Sequence, residues 1–204
     1  MITVALSKGR LFDDFIKYIE GQGLKKYSEV LRGESRTLFT LVDDVRFIFA
    51  KGPDVPVYVE RGAADIGIVG SDILDEEDFE YLNVSGLPFG RCHFALAGPP
   101  NIDHFNTVAS KYINIARKYF NQEQEAVSLI HLNGSVELAP ILGLADGIVD
   151  IVQTGNTLKD NGLIEYKKIT EVQARLIANK QTFYTKEEEI YKFISEIGVI
   201  AWRL

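Results

Sequence analysis

The chain has one cysteine, Cys92, so no disulfide within a single copy can brace it. It also lacks a basic stripe. Acidic residues number 29 against 22 basic ones, leaving a formal net charge of −7 and an isoelectric point near 5.1. A nucleic-acid surface needs the opposite balance, so that class is disfavoured. No long uncharged apolar run is present, which argues against a membrane span, and the N-terminus shows neither a basic segment nor a cleavage site. Proline and glycine are not in excess, and repeats, low-complexity tracts and long linkers are missing, so wholesale disorder is not expected. A cytoplasmic protein is the expectation. The histidines His93, His104 and His131 have no metal-ligand spacing, and Cys92 beside His93 is not a thiol-catalyst pattern. These residues, Trp202 and the tyrosines read as structural. The acidic run Asp75 to Glu80 reads as a solvated turn or helix face.

What the chain has is alternation. Its 204 residues are 46% hydrophobic, enough for one domain or two small ones. Ile2 to Leu6 is a β-rich run, followed by the turn Ser7-Lys8-Gly9-Arg10 and a helical stretch from Leu11 to Glu20. Gly21 and Gly23 close that helix. Leu38 to Leu41 and Arg46 to Ala50 read as strands around an Asp43-Asp44 turn, then Val55 to Arg61 as a helix stopped by Gly62. Ala64 to Gly70 is a buried strand. A second series runs through Cys92 to Ala97, Thr107 to Ala109, a helix from Ile113 to Phe120, a strand from Ala126 to His131, a helix after Ser135 and a strand at 147 to 152. Arg175 to Ala178 is a late strand and Lys186 to Ile197 a final helix. Such alternation predicts an α/β fold with mixed, mostly parallel sheets flanked by helices. A turn-rich join near residues 86 to 91 predicts two lobes.

Sites in such sheets lie beyond the carboxyl ends of strands. Polar groups do gather there: Lys8 and Arg10 after the first strand, Gly70 and Asp72 after the Ile66 strand, Gly134 and Ser135 after the Leu129 strand, and Thr154 to Thr157 after the Ile148 strand. In the last of these, Asp150 precedes Thr154-Gly155-Asn156-Thr157 in an Asp-x-x-x-Thr-Gly-x-Thr pattern. Gly155 can take positive φ and bring backbone amides close to an anion. Asp150, set further back, suits ribose hydroxyls. The pattern fits a 5-phosphoribosyl site, with a strand end and a threonine-capped helix as the plain alternative. Glu137, in "LNGSVELAP", is a candidate second ribose acceptor, or simply an acid complementing a helix dipole.

Four stretches together, "ALSKGRL", "DVPVYVERGAADIGIVGSD", "LNGSVELAPILGLAD" and "DIVQTGNTLKDNGL", resemble the ATP phosphoribosyltransferase family in its short form. The resemblance covers most of the chain, with the motifs in order. It implies a two-lobe fold of the periplasmic-binding-protein type (type II), with residues 1–91 plus 179–204 as one lobe and 92–178 as the other. It implies no C-terminal regulatory domain. The substrates would be ATP and 5-phosphoribosyl-1-pyrophosphate (PRPP), with Mg²⁺ held through their phosphates and not by protein side chains. By position, Glu137 and Asp150 match the ribose binders and Thr154, Gly155, Asn156, Thr157 and Leu158 the 5-phosphate loop. Arg10, Lys8 and Arg36 match the catalytic cations, and Arg10, Arg36 and Gly70 the ATP side. The resemblance also implies a homodimer when alone and a hetero-octamer with a histidyl-tRNA-synthetase-like regulatory subunit, so that histidine inhibition is not expected of the lone chain. Gly52-Pro53 and Ile113 depart from the family pattern and put local loop geometry in question. Two other classes fit parts of the pattern. One is a binding or sensor protein of the same fold, and the other a salvage phosphoribosyltransferase, which carries two adjacent carboxylates where Val149-Asp150 stand here.

Overall fold

The computed structural model describes residues 1–33 and 37–199. The chain opens with β1 (Ile2–Ser7), α1 (Arg10–Gly21), α2 (Lys25–Gly33), β2 (Phe39–Val42) and β3 (Val45–Ala50). Next come α3 (Asp54–Glu60), β4 (Ile66–Gly70), α4 (Ser71–Glu76) and β5 (Leu82–Gly86). After these lie β6 (Cys92–Gly98), β7 (Thr107–Ser110), α5 (Ile113–Glu123), β8 (Ser128–His131) and α6 (Leu138–Ile141). The run ends with β9 (Gly147–Val152), α7 (Asn156–Asp160), β10 (Ile164–Val172), β11 (Ala174–Ala178), α8 (Lys180–Thr185) and α9 (Glu187–Glu196). Among the described residues no helix is long and apolar enough to cross a membrane.

Two compact units divide these elements: Met1–Gly90 with Gln173–Leu204, and Arg91–Val172. The first holds a six-stranded sheet in the order β2-β3-β1-β4-β11-β5, the second a five-stranded sheet in the order β10-β6-β9-β7-β8. The chain returns to the first unit at Gln173, earlier than position 179, because β11 pairs antiparallel with both β4 and β5 and cannot leave their sheet. Each sheet is mixed. β1 pairs parallel with β3 and β4, and β7 pairs parallel with β8 and β9, while the flanking strands run antiparallel.

The local reasons are visible in the residues. In β4 every residue is buried, and Gly67 lets α3 pack close, since an added Cβ would stand 2.8 Å from Val55 and 2.9 Å from Val59. α1 buries Phe15, Ile16 and Ile19 on one face. Gly52 faces Ile73 Cδ1 at 2.6 Å from an added Cβ, so close packing accounts for it, and Pro53 holds the N-cap position of α3. Ile113 is the first residue of α5, a position where proline is equally at home. The returning segment is tied down by polar contacts. Buried Asp65 accepts from the Thr3 amide at 2.7 Å and from Lys186 Nζ at 2.9 Å. Asn179 caps α8 by accepting from the amides of Gln181 and Thr182 at 3.0 and 2.9 Å, and its Nδ2 donates to Val59 O at 2.8 Å.

Candidate active site

In the second unit β7, β8 and β9 are mutually parallel, so the segments that follow β8 and β9 emerge at the same edge of the sheet. After β9 the chain turns at Gly155, which takes the left-handed conformation (φ 74°, ψ 2°) and forms the N-cap of α7. An added Cβ there would meet nothing within 4 Å, so the turn opens onto free space. The first helical bond runs from the Lys159 amide to Gly155 O at 3.1 Å. The amides of Gly155, Asn156, Thr157 and Leu158 are therefore left without a helical acceptor. No side chain caps this helix. The plain reading of a threonine-capped helix is thus not what the chain adopts, and Thr154 and Thr157 are both exposed. Leu158 contributes only its main chain, because its side chain is buried with Val152 and Leu163.

Asp150 is half-buried on β9, opposite Ala95 of β6. After β8, Gly134 is open to space and Ser135 is left-handed with φ 49°. Glu137 follows as the residue preceding α6, half-buried and without a side-chain capping bond. A four-residue helix has little dipole to complement. The sheet thus brings Asp150, Glu137 and the 154–158 turn to one edge. Two acceptors and a nest of donors in that arrangement suit a sugar phosphate.

In the first unit β1, β3 and β4 are parallel, and Lys8, Gly52 and Gly70 end at their common edge. Gly9 has φ 94° and ψ −152°, a region essentially closed to residues with a Cβ, and is the N-cap of α1. It leaves Lys8 and Arg10 exposed on either side of a helix N-terminus. Lys8 is anchored through its own amide, which donates to Ala50 O at 2.8 Å. A groove of ≈ 600 Å³ beside this turn is lined by Lys8, Gly9, Phe12, Lys17, Arg32 and Phe49, among others. Lys17 and Arg32 are cations that sequence reasoning missed. Arg32 lies on α2, whose apolar residues are Tyr27, Val30 and Leu31, and its guanidinium donates to both oxygens of the Glu20 carboxylate at 2.7 Å. Gly70 is buried at the end of β4, where an added Cβ would run into the Asp72 carboxylate. Arg36 lies outside the described residues.

The histidines have ordinary surroundings. His93 Nε2 lies 3.1 Å from the Glu165 carboxylate across β6 and β10, and His104 and His131 are exposed. Among the described residues no three His, Cys, Asp or Glu side chains converge as a metal site.

Comparison with known proteins identifies the family. Residues 51–198 match the family model of ATP phosphoribosyltransferase (HisG). The chain is 50% identical over 200 residues to "ATP phosphoribosyltransferase" of Staphylococcus carnosus (strain TM300), covering 98% of both chains. It is 47% identical over 199 residues to the protein of that name in Staphylococcus aureus (strain MRSA252), again covering 98% of both. Among solved structures it resembles the ATP phosphoribosyl transferase (HisG:HisZ) complex from Thermotoga maritima, with TM-score 0.81, 30% identity and 97% of both chains covered. It also resembles the alkanesulfonate-binding protein SsuA of Xanthomonas axonopodis pv. citri, with TM-score 0.60 and 10% identity over 96% of this chain and 71% of that one. At that identity the likeness is one of fold alone, the two-lobe periplasmic-binding-protein type. The identity and nearly complete coverage shared with the first two relatives decide the matter: the chain belongs to the ATP phosphoribosyltransferase family.

Proposed function

We propose that this chain transfers the 5-phosphoribosyl group of PRPP to N1 of ATP, giving phosphoribosyl-ATP and pyrophosphate, the first step of histidine biosynthesis. The observation that carries the reading is the Gly155 turn, an uncapped left-handed corner with four amides lacking helical acceptors and two exposed threonines. Those groups hold the 5-phosphate. Asp150 and Glu137 accept hydrogen bonds from the ribose hydroxyls, which orients C1 of the sugar. Lys8 and Arg10, with Arg36, bind the phosphate charge of ATP and of the departing pyrophosphate, and Gly70 lies on the ATP side.

Chemistry explains why cations and orientation suffice. N1 of adenine carries no proton at neutral pH, so attack on C1 needs no general base. The C1–O bond to pyrophosphate breaks as the N1–C1 bond forms, and positive charge grows on the ribose. The chain's part is to hold two polyanions in register and to stabilise the leaving group. The guanidinium of Arg10 can grip phosphate through two parallel hydrogen bonds. Oxygen donors on the substrates, rather than a protein cage, would carry Mg²⁺, which supplies charge neutralisation.

A binding-only protein of the same fold would hold one ligand without turnover. Incubation with ATP, PRPP and Mg²⁺ separates the readings: phosphoribosyl-ATP and pyrophosphate should accumulate together. Pyrophosphate release with a free nucleobase in place of ATP would instead indicate salvage chemistry, and no release at all would indicate binding only. The Thermotoga maritima relative is a HisG:HisZ complex. We assign this chain a regulatory partner of the same kind, a histidyl-tRNA-synthetase-like subunit in a hetero-octamer.

A further inference from the structure

We propose that Lys111, at the carboxyl end of β7, is a further PRPP-binding residue whose ammonium donates to a phosphate oxygen of that substrate. The inference rests on the second unit being the PRPP side, as proposed above.

β7 is the strand between β9 and β8 in the five-stranded sheet. Ser110, its last residue, is level with Val149 of β9 and His131 of β8. One step further along these parallel strands, Lys111 stands beside Asp150 on one side and Leu132 on the other. The Leu132 amide, donating to Ser110 O at 3.0 Å, carries the ladder to that level. Neighbouring strands lie about 4.8 Å apart, and side chains alternate between the two faces along each strand. Ala109 and Ile148 belong to the apolar cluster that includes Val136, Ala139 of α6 and Leu158 of α7. Lys111 is two residues past Ala109 and Asp150 two past Ile148, so both positions belong to the face on which those helices pack. Glu137, next to Val136, opens α6 there. Lys111 thus sits between the strand bearing Asp150 and the strand that leads to Glu137.

The main chain on either side of Lys111 is pinned. Ser110 is fully buried, and its Oγ donates to Val149 O at 2.7 Å and accepts from the Tyr112 amide at 2.8 Å. The second bond spans Lys111 and fixes its peptide, while the residue itself is exposed. The ammonium rests over the Tyr112 ring, 5.4 Å from its centroid, and among the described residues it enters no ion pair. A cation–π contact at an exposed site is worth less than one charge-assisted hydrogen bond to a phosphate, so a bound phosphate draws the ammonium away from the ring.

Charge explains what the cation is for. The segments that leave this edge, 111–112, 132–137 and 153–158, hold one basic residue, Lys111. PRPP brings a phosphate and a pyrophosphate to an edge that already bears the carboxylates of Asp150 and Glu137, and like charges a few ångströms apart repel. An ammonium beside Asp150 offsets that repulsion, and its flexible four-carbon stem lets it follow a phosphate oxygen.

Calorimetric titration of the full chain with PRPP, ribose 5-phosphate and ATP tests this. At unchanged circular dichroism, Lys111→Met should raise the PRPP dissociation constant about tenfold or more, as expected for losing one charge-assisted bond. ATP affinity should not move, and the salt dependence of PRPP binding should flatten, which a merely structural role would not produce. Lys111→Arg should recover most of the loss. A loss shared by ribose 5-phosphate puts the contact on the 5-phosphate, and a loss confined to PRPP puts it on the pyrophosphate. Unchanged PRPP affinity in Lys111→Met, or an equal loss on ATP, would overturn the inference while leaving the PRPP reading in place. A wild type that binds no PRPP would overturn both.

Discussion

At the scale of single residues, Gly155 and the two carboxylates are where sequence and chemistry meet most directly. Gly155 combines a φ of 74° with open space where a Cβ would stand. Valine there would be strained and would project into the anion nest, so Gly155→Val should weaken PRPP by roughly 10–100-fold, as expected for losing a charge-assisted bond worth about 1.5–3 kcal/mol. Calorimetry checks it, with ATP affinity as the control. Asp150→Asn and Glu137→Gln keep size and lose charge. Each should cost about 1–3 kcal/mol of PRPP binding and leave ATP affinity nearly intact. A loss on ATP instead would reverse the assignment. The left-handed turn at Gly155 was readable from the sequence, and the role proposed for Asp150 rests on its spacing from that turn. That Thr154 does not cap α7 was not readable, because a threonine before a helix has the same letters whether its hydroxyl turns inward or stays free.

Elements depend on contacts that a linear pattern shows only in part. Asn179 closes α8 and bonds α3 at once. Asn179→Ala should lower stability by about 1–3 kcal/mol, read from urea unfolding with the m-value unchanged. A second device joins α2, the β2–β3 turn and α9. Tyr27 donates to Glu196 Oε2 at 2.9 Å, and Lys26 bridges Glu196 at 2.5 Å and Asp43 at 3.0 Å. Burial, then the Glu196 contact, pushes the Tyr27 hydroxyl from 10 to about 12. Burial raises the Glu196 carboxyl, but the bonds from Lys26 and Tyr27 outweigh it and leave the group below its usual range. The raised tyrosine contributes stability fully present below pH 10 and lost as pH climbs through about 12. The lowered glutamate contributes above its unfolded value and loses that as pH falls below it. Urea midpoints between pH 9 and 12 should therefore fall, and fall less steeply in Tyr27→Phe. Equal slopes would remove Tyr27 from the account. β10 shows why some elements escape a sequence reading. Its apolar residues Ile164, Tyr166, Ile169 and Val172 are spaced by two, three and three, because register shifts at Glu165/Lys167 and Lys168/Thr170 break the strand period.

At the scale of the whole molecule, each of the two units carries its own sheet, with parallel strands that end at a common edge. Hydrogen exchange should therefore respond by unit. PRPP alone should slow amides at 132–137 and 153–158 in the second unit, and ATP alone those following β1 and β4 in the first. Protection by PRPP confined to the first unit would contradict the division of labour proposed for the two substrates. The chain passes between units twice, and its second passage takes one residue, Gln173, between β10 and β11. Nothing in "TEVQARLIA" marks that passage, since a strand leaving one sheet and a strand entering another share the same apolar alternation.

The sequence by itself determined the α/β alternation, the places where polar groups follow strands, and the family, because periodicity, glycine and short-range motif spacing are local properties of the chain. Tertiary structure alone decided which strands run antiparallel, where the chain returns to the first sheet, and how buried Asp65 and Asn179 hold that return. Those features depend on hydrogen bonds between residues far apart in sequence, and no local pattern encodes the partner of a strand.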